Sequence, residues 1–327
     1  MTEEPILLEI KDLQVHYPVR TGTVKGVDHV SLSVYEGETL GLVGESACGK
    51  STLGRAILRL VSEPGKIVGG QILFKGEDLL TKNDKAMAQI RGKSISMVFQ
   101  DPMTSLNPLQ RIDHHFIETI CTHESETSKA EALERAGMMF DQLGIRRERL
   151  SDYPHQLSGG MRQRVMIGLA LILNSDLVIA DEPTTSLDVI VEAQILDLIK
   201  DLKRTYQMTL ILITHNLGIV AELADRLAVM YAGKLVEVAP VLELFDKPLH
   251  PYTQGLLASV PNIRFEGEEF CTMPGAPPDL ITPPAGCRFH PRCVHAMELC
   301  RRQEPPYQQV CPKRWAACWL YAIEGSQ

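Results

Sequence analysis

A short stretch near the N-terminus carries the first chemical signal. Gly44-Glu-Ser-Ala-Cys-Gly49-Lys50-Ser51-Thr52 fits the phosphate-loop pattern G-x4-G-K-[ST]. Glycines there let successive backbone N–H groups curl round phosphate oxygens, and a helix opening at that point adds its partial positive charge. Lys50 supplies a mobile charge to terminal phosphates, and Ser51 a hydroxyl for Mg²⁺. Farther along, an apolar run at 177–180 ends in Asp181 and Glu182. Asp181 suits Mg²⁺, directly or through water, and Glu182 is placed to polarise an attacking water as general base. Such a run says little alone; downstream of a phosphate loop it pairs a metal ligand with a base.

Leu157-Ser158-Gly159-Gly160-Met161-Arg162-Gln163 opens a helix predicted over 162–173, a second helix start with N–H groups aimed outward. With this stretch the chain closely resembles the ATP-binding cassette (ABC) family. The resemblance covers about residues 6–240 and implies ATP as substrate. Two anion-binding helix starts in one chain then point to two chains facing head to tail, each ATP lying between the loop of one and Ser158, Gly159 and Gly160 of the other. Gln100 resembles the glutamine that touches Mg²⁺ and water, and Ser186-Leu187-Asp188 resembles the D-loop. His215 resembles the switch histidine at the γ-phosphate, and Tyr17 the aromatic that stacks on adenine. The nucleotide-binding set is thus Tyr17, Gly44, Ser46, Cys48, Gly49, Lys50, Ser51 and Thr52, with Ser158, Gly159, Gly160 and Asp188. Glu182, His215 and Gln100 are the catalytic set, and Ser51, Gln100 and Asp181 face Mg²⁺. Ala47 stands where glycine is frequent, and Asn216 where aspartate is usual. Cys48, near a helix start, is expected to favour thiolate, to react with thiol reagents and to be protected by nucleotide.

Asp101-Pro-Met-Thr-Ser-Leu-Asn-Pro108, His250-Pro-Tyr-Thr-Gln254 and Gly286-Cys-Arg-Phe-His-Pro-Arg-Cys293 narrow the resemblance to ATPase subunits of dipeptide and oligopeptide importers, a group that includes nickel and other small-solute systems. That resemblance implies a related ATPase subunit as heterodimer partner and two transmembrane permeases. It also implies an extracytoplasmic substrate-binding protein and a place on the cytoplasmic face of the membrane. Cys287, Cys293, Cys300 and Cys318 resemble the family's C-terminal cysteine motif, which in some members binds a [4Fe–4S] cluster. Zinc and reduced thiols are the alternatives, with Cys311 and Cys271 as spare candidates.

The elements that must position these groups follow from pattern. Apolar runs at 39–43, 95–99, 177–180 and 209–213 alternate with helical stretches, so a mainly parallel sheet flanked by helices is expected. Helices are predicted over 129–143 and 189–206, the latter with Val191, Ile195, Leu198, Ile199 and Leu202 as one stripe. The fold class is α/β, a P-loop cassette with an N-terminal antiparallel part implied by the resemblance. The cassette is placed at 1–240, with a helical subdomain at about 101–165. Frequent prolines after it mark a small loop-rich module at 241–327. Hydrophobic residues make up 44% of the 327 and charged residues 23%, which excludes a disordered chain. A net charge of −8 leaves no basic field for nucleic acid. The apolar stretch at 169–180, broken by Asn174, Ser175 and Asp176, is too short to span a bilayer. The opening Met-Thr-Glu-Glu-Pro lacks the features of a signal peptide, so the chain reads as cytoplasmic. A soluble ABC protein of DNA repair or translation fits less well, since such proteins carry paired cassettes or long coiled coils. A redox sensor with a vestigial ATPase is opposed by the intact Lys50, Asp181, Glu182 and His215.

Overall fold

The computed structural model describes residues 5–101, 105–185, 187–259 and 273–322. The chain divides into two compact units: residues 1–81 with 214–327, and residues 82–213.

The first unit begins with a hairpin of β1 (Ile6–Val19) and β2 (Gly22–Tyr35). In β2, Val30, Leu32 and Val34 are buried while His29 and Ser31 are exposed, the period-two alternation of a sheet with one covered face. Next come β3 (Thr39–Val43), α1 (Lys50–Ile57), β4 (Lys66–Phe74) and the short β5 (Glu77–Asp78). These supply an antiparallel sheet in the order β2-β1-β4-β5. Every residue of β3 is buried, as expected of an apolar run covered on both faces.

The second unit holds α2 (Asp84–Ile90), β6 (Ile95–Val98), α3 (Ile112–His123), α4 (Lys129–Gln142), α5 (Gly159–Leu171), β7 (Leu177–Asp181), α6 (Val189–Tyr206) and β8 (Thr209–Ile213). Strands β6, β7 and β8 pair in parallel and are buried throughout. On α6, Ile195, Leu196, Ile199 and Leu202 are buried, while Val191 and Leu198 flank them half-buried. Helices α3 and α4 meet through Phe116 and Phe140, whose rings lie edge to face at 5.7 Å. Gly168 lets α5 come close to them, since a Cβ there would sit 2.6 Å from Leu143. Helix α5 starts at Gly159 rather than at the expected 162. Two glycines argue against helix on propensity, but the Ser158 hydroxyl accepts the Met161 N–H and caps the turn.

The chain returns to the first unit with α7 (Leu217–Leu223), β9 (Arg226–Tyr231), β10 (Lys234–Pro240), α8 (Val241–Asp246) and α9 (Pro251–Ala258). After residues 260–272, outside the described set, follow α10 (Glu298–Arg302), β11 (Gln308–Cys311), β12 (Arg314–Ala316) and α11 (Trp319–Ala322). Strand β3 pairs in parallel with β9, which pairs antiparallel with β10. β12 then adds to β10 through Glu237–Ala316 and Val238–Trp315, and β11 to β12. The C-terminal segment therefore continues the β3–β9–β10 sheet. Arg288 also joins it to β2, bonding Asp28 and the Ala232 carbonyl. Burial raises the Asp28 carboxyl, but Arg288 and Lys234 outweigh that and hold it below its ordinary value. Among the described residues no helix is long and apolar enough to cross a membrane.

Candidate functional site

In the first unit the phosphate loop runs from the end of β3 into α1. Gly49, the N-cap residue, has φ 108, and a Cβ there would lie 2.2 Å from the Gly26 carbonyl oxygen. Only glycine fits. The cap residue itself makes no side-chain bond to the first turn of α1. Lys50 is buried at 5% exposure, and its Nζ donates to the carbonyls of Gly44 at 2.7 Å and Glu45 at 3.0 Å. Ser46 and Ala47 are exposed at the loop's outer turn, and Ala47 has φ 62, which explains why glycine is common there. The Tyr17 hydroxyl lies 3.3 Å from that of Thr52, which puts this aromatic beside α1. His215 is exposed, with buried Thr214 before it and exposed Asn216 after it. The Asn216 side chain accepts the Gly218 N–H at 3.0 Å and caps α7, so the departure from aspartate keeps a capping oxygen.

The expected Cys48 thiolate is not borne out. The side chain is only 4% exposed, and burial pushes the thiol up more than Lys50 lowers it. Desolvation therefore moves the Cys48 thiol away from the thiolate form.

The second unit carries the carboxylates. Asp181 ends β7 with no exposure, and Glu182 follows with φ 48, its N–H donating to the Ile213 carbonyl at 2.8 Å. Glu182 Oε2 accepts from Gln100 Nε2 at 3.0 Å and from the Thr185 hydroxyl at 2.8 Å. The two sequence-selected residues are thus in contact. Thr185 is an addition that only the short Glu-Pro-Thr-Thr turn could have signalled. Ser158 is exposed at the start of α5, where Arg162 donates to the Leu157 carbonyl at 2.6 Å and secures the entry. Gly160 lies against α6, since a Cβ would meet Val191 at 2.6 Å. Asp188 caps α6 by accepting the Val191 N–H at 2.9 Å, while Ser186 falls outside the described residues. Within this unit the fully buried Asp181 carboxylate is a hard oxygen donor of the kind Mg²⁺ takes.

Cys287, Cys293, Cys300 and Cys318 are gathered in the first unit. Cys287 feels Cys300, Cys318 and Cys293, and Cys318 feels Cys293 and Cys300. Burial, then this mutual field, pushes Cys287 up to about 12 and Cys318 up to about 11. Cys311 is exposed on β11, and Cys271 lies outside the described residues. Yet among the described residues no group of three or more His, Cys, Asp or Glu stands in a metal-holding arrangement.

Comparison with known proteins agrees with this arrangement. Residues 27–185 match the model of the ABC transporter family, and residues 236–300 that of the oligopeptide/dipeptide transporter C-terminal region. The oligopeptide transport ATP-binding protein OppD of Bacillus subtilis is 47% identical, covering 96% of this chain and 88% of its own. The dipeptide transport ATP-binding protein DppD of the same organism is 46% identical, covering 96% and 94%. Among solved structures, the ATP-binding cassette MJ0796 bound to ADP and phosphate matches with TM-score 0.65 and 25% identity, covering 72% of this chain and 98% of its own. The loop at Gly49, the carboxylates after β7 and a C-terminal segment matched in its own right place the chain in the ABC transporter family, as an ATPase cassette of the oligopeptide/dipeptide ATP-binding type.

Proposed function

We propose that this chain is the motor subunit of a membrane importer for dipeptides or oligopeptides. The observation that carries the reading is the match of the C-terminal segment, together with relatives named for peptide transport. In this reading Tyr17 stacks on adenine. Lys50 and the loop N–H groups hold the phosphates, helped by Gly44, Ser46, Cys48, Gly49 and Thr52. Ser51, Gln100 and Asp181 hold Mg²⁺, which neutralises phosphate charge when bound. A water oxygen attacks the γ-phosphorus, the bond to the β-phosphate oxygen breaks, and ADP leaves with its electron pair. Glu182 takes the proton from water, while Gln100 and Thr185 orient its carboxylate. His215 faces the γ-phosphate. Ser158, Gly159, Gly160 and Asp188 serve the ATP of an opposed, related subunit. Two permeases and an extracytoplasmic binding protein complete the assembly, with this chain on the cytoplasmic face.

Uptake of labelled peptides by cells lacking this chain tests the reading. Restoration by the parent chain but not by Lys50→Ala supports it; restoration of nickel or another small solute alone would replace the peptide assignment. For the thiols, the finer reading is a [4Fe–4S] cluster on Cys287, Cys293, Cys300 and Cys318. It is supported by the four lying in one another's field. About four irons and four sulfides per chain after anaerobic purification, lost in Cys293→Ser, would establish it. Zinc or no metal would remove it.

A further inference from the structure

The C-terminal segment reaches the phosphate loop at Glu45. Arg292, with its side chain 5% exposed, forks on the Glu45 carboxylate, Nη1 to Oε2 at 2.8 Å and Nη2 to Oε1 at 3.0 Å. The Glu45 N–H donates to the Tyr252 hydroxyl at 2.8 Å, and its carbonyl accepts from Lys50 Nζ at 3.0 Å. All three polar groups of this residue are therefore engaged, two by the C-terminal segment and one by the phosphate-binding lysine.

Both braces are themselves anchored. Arg292 Nε donates to the Pro274 carbonyl at 2.9 Å, and its guanidinium lies over the Tyr231 and Phe289 rings. Tyr252 has no exposure and packs on Tyr231 at 4.6 Å and Phe289 at 5.5 Å. The turn that delivers it is fixed by Glu237, a fully buried carboxylate accepting the N–H groups of Leu249 at 2.8 Å and His250 at 2.9 Å. His250 then accepts the Tyr252 N–H at 3.0 Å. The His-Pro-Tyr stretch is thereby a rigid arm ending on the loop. A bidentate arginine–carboxylate pair whose arginine is buried is among the stronger polar contacts. A loop that cradles phosphate by backbone alone has no need of it.

We propose that Arg292 and Tyr252 are positioning residues for nucleotide binding: acting through Glu45, they hold the loop in its binding shape and so set ATP affinity. The proposal rests on the phosphate loop being the ATP site. A loosened loop must be ordered by the nucleotide, which weakens binding. Turnover at saturation survives, because saturating nucleotide itself supplies the free energy that orders the loop.

The test uses the full chain with Arg292→Ala, Arg292→Lys, Glu45→Gln, Tyr252→Phe and the Arg292→Ala/Glu45→Gln double variant. ATP affinity is measured by calorimetry, and KM and kcat by phosphate release. Arg292→Ala and Glu45→Gln are each expected to weaken ATP binding about three- to tenfold. KM should rise with kcat nearly unchanged, and the double variant should be no worse than either single one. Lysine at 292 should recover part of the loss, since it keeps the charge but not the fork. Unchanged affinity in folded single variants, or additive losses in the double, would overturn the proposal. If Arg292→Ala does not fold, Glu45→Gln and Tyr252→Phe decide the matter alone. ATP binding retained by Lys50→Ala would instead sink the underlying site assignment.

Discussion

Helix α1 begins at Gly49 with no side-chain cap, whereas α5 begins at Ser158 with that residue's hydroxyl on the Met161 N–H. The first start needs a left-handed residue pressed on the Gly26 carbonyl and contacts from as far as Arg292. The second uses ordinary extended geometry at its cap, secured by its own neighbours. The first start draws its shape from the surrounding structure and takes no side-chain cap of its own. A helix end offered outward can be shaped locally.

Substitutions can break this comparison. The largest effect is expected for Gly49→Ala, where left-handed strain adds to a clash with backbone, costing about 3 kcal/mol in urea denaturation. Ser158→Ala should cost only about 1 kcal/mol. Equal costs at the two positions would contradict the contrast.

The arm beneath the loop adds a pH dependence between these two in size. His250 is buried and its imidazole is pushed down to about 3, while in the unfolded chain it titrates near about 6.5. Below that value the unfolded chain takes up a proton that the fold refuses, so stability falls as pH drops towards the folded value. Between about pH 7.5 and 5.5 this group removes about 1.4 kcal/mol. His250→Asn keeps an acceptor for the Tyr252 N–H and should abolish that share of the loss. An unchanged pH slope would contradict it. The smallest effect is expected at Ala47, where glycine relieves a positive φ and should raise stability by up to about 1 kcal/mol.

What was legible in the sequence follows the range over which each feature is determined. The loop, β3, β8 and α6 are local patterns, and their bounds were read directly. The start of α5 was misplaced because propensity disfavours glycine, while a single hydroxyl cap decides the matter. Strands β9 to β12 were missed because β11 and β12 are short. In β9 and β10 the apolar run carries arginine and glutamate that find buried partners, as Arg226 does with Glu38. Cys48 was misjudged because the sequence shows a nearby helix start but not the burial that outweighs it. The Arg292–Glu45 pair, 247 residues apart, leaves no periodic trace at all. Its members lay inside recognised motifs, but nothing in either motif named the other.

The division of labour between a loop that binds and a carboxylate that catalyses is tested most directly by Glu182→Gln. ATP binding and phosphate release should be measured on the same preparation of the full chain. Retained ATP affinity with phosphate release lowered at least about a hundredfold is the expected result. Ordinary phosphate release, or ATP binding lost along with turnover, would contradict it.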